Sequence, residues 1–117
     1  MTLARIVEEM GLRRLTPALS EQETVEVSAA HASDLLSDVL ARAPRGGITL
    51  TIQAHLNVVA VAVHAEQAAV VFTSGMVPDE AVLARAVAEA LPLYATAEST
   101  FDTAGRLWAL GLRGRHE

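Results

Sequence analysis

Residues 47–75 read GITLTIQAHLNVVAVAVHAEQAAVVFTSG. The stretch divides into strand, helix and strand: ITLTI, then the apolar segment HLNVVAVAVHAEQ, then AAVVFT ending at Ser74-Gly75. Strands this apolar, separated by a helix-length segment, belong to a parallel βαβ unit whose sheet is covered on both faces.

Working outward, the same alternation recurs on either side. Leu3, Ile6, Val7 and Met10 follow helical spacing, with Thr2 placed to cap and Gly11 to stop the helix. Leu12–Leu15 is expected as a short strand, residues 17–21 as a turn or loop, and Thr24–Val27 as an edge strand with one wet face. Ser33 is the expected N-cap of a second helix with Asp34 in its first turn. That helix would turn Leu35, Leu36, Val39 and Leu40 inward and pair Asp38 with Arg42. Beyond the βαβ unit, Val77–Glu80 opens a helix with Pro78 in its first turn and a stripe of Val82, Leu83, Ala86, Val87 and Ala90. Pro92 introduces a last strand, Leu93–Thr96. Ser99 then caps a final helix with Phe101, Ala104, Leu107, Trp108 and Leu110 as apolar positions and Gly111 as its stop. Residues 113–117 are expected to fray. The whole predicts one domain over 1–117, a three-layer α/β/α fold around a mostly parallel sheet of four to five strands.

Composition narrows the chemistry. A chain of 117 residues can bury about two thirds of its unfolded surface in one core. A net charge of −5 without a basic run longer than Arg13-Arg14 argues against nucleic acid, whose phosphates need many cations. Cysteine is absent, which removes disulfides, thiolate metal sites and cysteine nucleophiles. Lysine is absent too, so neither a P-loop lysine nor a Schiff-base lysine is available. The N-terminal segment carries Glu8 and Glu9 where a signal peptide needs an apolar core, and the run Val58–Val63 is far short of a membrane span. The expectation is a cytoplasmic protein with no membrane partner.

The segments SDLLSDVLARA (33–43), ITLTIQAHLNVVAVAV (48–63), VVFTSGMVPDE (70–80) and STFDTAGRLWALG (99–111), in this order, resemble the DRTGG domain family. Such domains resemble the N-terminal domain of HPr kinase/phosphorylase. They also occur as accessory modules of phosphotransacetylases and of CBS-containing inorganic pyrophosphatases. The resemblance implies a regulatory or assembly role rather than a reaction. The chain departs from the family at two turns. Gln53-Ala54-His55 stands where many members have Gly-Asp-Arg, and Thr73-Ser74-Gly75 stands at the Thr-Gly-Gly step. Kinase activity, which some stand-alone relatives are labelled with, needs a glycine-rich phosphate cradle with its lysine, and this chain has neither.

In an open α/β sheet, ligands collect where strand ends meet helix starts. Four such junctions can be read: Ser28 with His31; Gln53 with His55 and Asn57; Thr73-Ser74-Gly75; and Thr96 with Ser99 and Thr100. Together they form a candidate pocket for a nucleotide or phosphorylated metabolite. The plainer alternative is that Ser, Thr and Asn here only cap helices and form turns. His31, His55, His64 and His116 show no metal-ligand spacing, so no metal, cofactor or catalytic residue is assigned. A Ser74–His55–Asp34 triad exists only on paper, without a nucleophile elbow. His31 and Asp34 are spaced for a local capping contact. Trp108 would complete the core or anchor an interface, and the small-residue faces Ala60/Ala62 and Ala84/Val87/Ala88 would let two chains approach. The favoured expectation is a non-catalytic regulatory or interaction domain, a symmetric homodimer acting on a partner protein. A small-molecule sensor is the alternative.

Overall fold

The computed structural model describes residues 1–17 and 20–115. Helix α1 (Leu3–Met10) forms as its spacing dictates. The Thr2 hydroxyl accepts from the Arg5 amide at 3.2 Å, Gly11 ends the helix at φ 63°, and Leu3, Ile6, Val7 and Met10 are buried. Strand β1 (Arg13–Arg14) follows, then the short helix α2 (Ser20–Glu23). Next come β2 (Ala30–Ala32), α3 (Leu36–Arg42), β3 (Ile48–Thr51), α4 (Asn57–His64), β4 (Ala69–Phe72), α5 (Glu80–Ala88), β5 (Leu93–Ala95) and α6 (Thr100–Ala109).

The five strands lie in the order β1-β5-β4-β3-β2, with β1 antiparallel to β5 and every other pair parallel. Each parallel strand is added beside the one before it, so α3, α4 and α5 share one layer. Helices α1 and α6 cover the other face. Alternation along β4 supplies both cores: Ala69 and Val71 point to the α1/α6 side, Val70 and Phe72 to the α4/α5 side. All four residues of β3 and of β4 are buried, as the apolar reading of 47–75 requires. Gly47 is needed because a Cβ there would come within 3.0 Å of the carbonyl oxygens of Ala29 and Pro44. The polar intruder on β3, Thr49, is satisfied by Gln67, whose amide also reaches the Pro44 carbonyl at 2.8 Å. Among the described residues, no buried side-chain polar atom lacks a partner.

Several local expectations are corrected. Thr24–Val27 is not a strand, because its backbone bonds go to the start of the chain (Leu3 N–H to Val25 O, Val27 N–H to Met1 O) instead of to the sheet. The edge strand is β2. Within the expected loop 17–21, Ser20 and Glu21 begin α2, and Ala18 and Leu19 lie outside the described residues. Helix α3 starts later than read, after Leu35, and the Ser33 hydroxyl accepts from the Leu35 amide in a tight turn. Leu35 is consequently 64 % exposed and Leu40 also faces out, leaving Val39 and Leu36 to pack. Pro78 precedes the cap of α5, which is Asp79. On α6 the buried stripe is Thr103 and Leu107, and Phe101 and Trp108 point away from the core. Arg113 does not fray: it bridges to Ala29, donating to the Ser28 carbonyl and accepting from the Ala30 amide. His116 and Glu117 lie outside the described residues.

Candidate functional site

The strand ends that carry the candidate residues meet at one place of topological interest. From β4 the chain passes into the α3/α4/α5 layer, and from the adjacent β5 it passes into the α1/α6 layer. Where neighbouring strands send their connections to opposite faces, an α/β sheet opens a crevice. Here hydrogen bonds tie the two connections together. Ser74 and Gly75 both take left-handed backbone, φ 58° and 73°, and the Met76 amide returns to the Thr73 carbonyl at 3.1 Å. This turn aims the Ser74 amide at the Glu98 carbonyl (2.7 Å) and the Gly75 amide at the Thr96 carbonyl (3.0 Å). The Thr73 and Thr100 hydroxyls share a 2.5 Å hydrogen bond across the same seam. Glu98 forms an ion pair with Arg106.

The β3–α4 connection is likewise self-contained. Asp34 accepts from the Thr51 hydroxyl (3.0 Å) and the Ile52 amide (2.8 Å). The Thr51 oxygen accepts from the Gln53 amide, the Gln53 side chain from the His55 amide, and His55 Nδ1 from the Asn57 amide. Each side chain thus satisfies the amide two residues on, and the accepting Nδ1 puts the neutral ring's proton on Nε2. Ser99 caps α6 through the Asp102 amide and Asp79 caps α5 through the Val82 amide. At each of these two helix starts one amide that could face an anion is thereby taken up by a side-chain cap.

The structure brings Gln53, His55 and Asn57 together where the β3–α4 loop enters α4, and Thr73, Ser74, Gly75, Ser99 and Thr100 along one seam. It does not bring Ser28 to this rim: Ser28 precedes β2, at the opposite end of the strands. His31 lies inside β2 and bonds Asp38 at 2.8 Å rather than Asp34. The His31 ring, with lesser help from Ser33, holds the Asp38 carboxyl below its ordinary range, and Arg42 pairs with the same group. No hydrogen bond joins Ser74, His55 and Asp34 to one another. Among the described residues, no group of three or more His, Asp and Glu is placed to hold a metal, and no helix is long and apolar enough to cross a membrane.

One feature was missed in the sequence, and a second was read only in part, with Trp108 left open between core and interface. The first is a buried ionic knot: Arg14 reaches Glu23 through Nε (2.9 Å) and Nη2 (2.7 Å), and the Tyr94 hydroxyl donates to the same carboxylate at 2.7 Å. Arg14 lowers the Glu23 pKa against the opposing effect of burial, and burial with the Glu23 contact pushes the Tyr94 hydroxyl up. These residues are 9 and 71 positions apart, so no local pattern joins them. The other is the outward stripe of α6, where Phe101 is 85 % exposed and Trp108 58 % exposed, with Arg113 stacked 3.7 Å from the Trp108 ring. A helical spacing of seven between Phe101 and Trp108 was its available signal. Compared with known proteins, the chain matches no family model and no curated protein.

Proposed function

We propose that this chain is a non-catalytic interaction domain, homodimeric, that acts on a partner protein. One observation carries the reading: two large aromatic side chains stand outward on α6, at Phe101 and Trp108, while the Ser74 and Gly75 amides and the Thr73 and Thr100 hydroxyls at the strand ends are bonded to one another's elements. Exposed aromatics of this size are the residues that dominate interface energies, and their exposure in a free chain is costly. The likeness of residues 33–111 to DRTGG domains supports the same reading, because those modules regulate or assemble.

The homodimer is assigned to the outer face of α4 and α5. Leu56, Ala60, Val63, Ala84 and Val87 are exposed there, small or apolar, and the charges on α5 include the self-compensating pair Arg85–Glu89. A two-fold axis through such a face brings small residues together without opposing like charges. Light scattering across a concentration series tests this. A dimer is expected for the native chain, and a monomer for Val87→Arg. A native chain that stays monomeric at every concentration removes the dimer, and ATP turnover by the purified protein removes the non-catalytic reading.

The sensor reading receives less support. A groove of about 440 Å³ beside Met10, Arg13, Thr96 and Glu98 is roomy enough for a small ligand. Its neighbouring amides at Ser74 and Gly75 are nevertheless already bonded to carbonyls, so an anion would have to displace them.

A further inference from the structure

Among the described residues the outer edge of β2 is open beyond the place taken by Arg113, and its pattern can be read residue by residue. Ala29 accepts from the Ile48 amide and Ser33 donates to the Leu50 carbonyl, so odd-numbered positions of this strand bond inward to β3. Ser28 and Ala30 bond outward, both to Arg113. By the two-residue period, Ala32 also points its N–H and C=O outward, and so does the Ala30 carbonyl. None of these three groups has a hydrogen-bond partner among the described residues. The chain's own Arg113 occupies the first place along this edge, and the backbone bends at Gly114.

The surroundings fit a particular occupant. Beside the open groups lies an apolar notch of about 120 Å³, formed by Ala30, Ala32, Leu50, Ala104, Leu107 and Trp108, sized for one aliphatic side chain. Next to it runs a wider groove lined by His31, Arg42, Pro44 and Arg115. The protein is acidic overall at −5, yet this rim carries Arg42, Arg113, Arg115 and His31. Asp38 pairs with His31 and Arg42, and Asp34 keeps its charge while accepting from the uncharged Thr51 hydroxyl and Ile52 amide, so Arg113 and Arg115 supply the positive excess of this rim. A second copy paired edge to edge here would bring its arginines against these, which is repulsive.

We infer that the free stretch of β2, between α6 and the end of α3, takes an extended acidic segment of a partner protein by strand addition, with one apolar side chain seated beside Trp108. The inference rests on the interaction-domain reading and names the partner's chemistry. Main-chain bonds to Ala30 and Ala32 provide the register, the notch selects an aliphatic residue, and the arginines select acidic flanks.

An eight-residue peptide of alternating glutamate and valine tests it against the full chain. Trp108 is the only tryptophan, so its emission reports the site directly. The expected result is a saturable blue shift that weakens as salt rises, and little binding of a lysine–valine counterpart. Ala32→Pro removes only the outward N–H, so the β2–β3 ladder and the melting temperature are retained while affinity falls about tenfold or more. Arg115→Glu, at a surface residue, is expected to weaken binding about tenfold by charge reversal. No saturable binding, equal binding of the lysine–valine peptide, or an Ala32→Pro variant that folds and binds normally each overturns the proposal. If the peptide fails while light scattering still shows a dimer, strand addition alone is lost. If both fail, the interaction-domain reading goes with it.

Discussion

Replacing Glu23 by glutamine keeps the side chain's shape and removes its charge, which isolates the work done by the buried ionic knot. The carboxylate accepts three hydrogen bonds, two from Arg14 and one from the Tyr94 hydroxyl, and Glu23 is only 7 % exposed. A glutamine in the same place has one acceptor oxygen, so its NH₂ group faces at least one of these donors. Arg14 is half exposed and can turn to water, but the Tyr94 side chain is buried and cannot. Hydrogen bonds to a charged group are worth about 1.5–3 kcal/mol each, and discounting the Arg14 side for solvent leaves a loss of about 2 kcal/mol at pH 7. For a chain of this size that lowers the melting temperature by roughly 8 °C. Tyr94→Phe, which leaves Arg14 on Glu23, is expected to cost about half as much. The pH dependence has a definite sign. Glu23 is held below the ordinary glutamate range, so its stabilisation is complete above about pH 5 and is lost as pH falls through the lowered native value. Urea unfolding of native and Glu23→Gln protein from pH 8 to pH 3 should give a constant gap near neutrality that closes in acid. A gap below about 0.5 kcal/mol at pH 7, or one that persists unchanged at pH 3, would refute this account of the knot.

Two further outcomes follow from local geometry. Ala90 sits in left-handed backbone at φ 55°; relieving that strain and allowing for glycine's extra freedom in the unfolded chain, Ala90→Gly should gain about 0.5 kcal/mol, and a net loss by thermal unfolding would contradict it. Carbon-detected NMR should find the Asp38 carboxyl titrating below the usual aspartate range, and His31→Gln should move it back up; an unchanged Asp38 titration in that variant would break the assigned cause.

What the sequence disclosed divides by the range of the interactions involved. The βαβ unit was legible because its strands are apolar on both faces and α4 separates them at helical length. The caps at Thr2 and Ser99 were legible because a cap is a bond to the next turn. Thr24–Val27 alternates like a strand and was misread, because the choice between pairing with the sheet and pairing with Met1 and Leu3 is made by tertiary contacts. The orientation of α6 was misread for a related reason. Phe101 looks like a core residue by type and Trp108 was open between core and interface, but both point outward, and Thr103, bonded to the Ser99 carbonyl, joins the expected Leu107 in facing the sheet. At the strand-end rim the residue types were visible, yet no linear pattern reveals that the Ser74 and Gly75 amides already belong to Glu98 and Thr96.

The order of the strands explains why the open surface falls where it does. Because β2 to β5 are laid down in sequence, three crossover helices accumulate on one face, and α1 and α6, with the short α2 beside α1, take the other. Helix α6 lies over β2 and β3, and among the described residues no further helix shelters Trp108 or the β2 edge beyond its outer flank. Strand β1 adds at the far side, antiparallel to β5, with two exposed arginines, and β2 forms the other edge of the sheet. Such an edge invites indiscriminate pairing unless charge restricts it. The concentration of arginine around β2, in a protein that is acidic overall, supplies that restriction: it repels a second copy of the chain and admits an acidic strand.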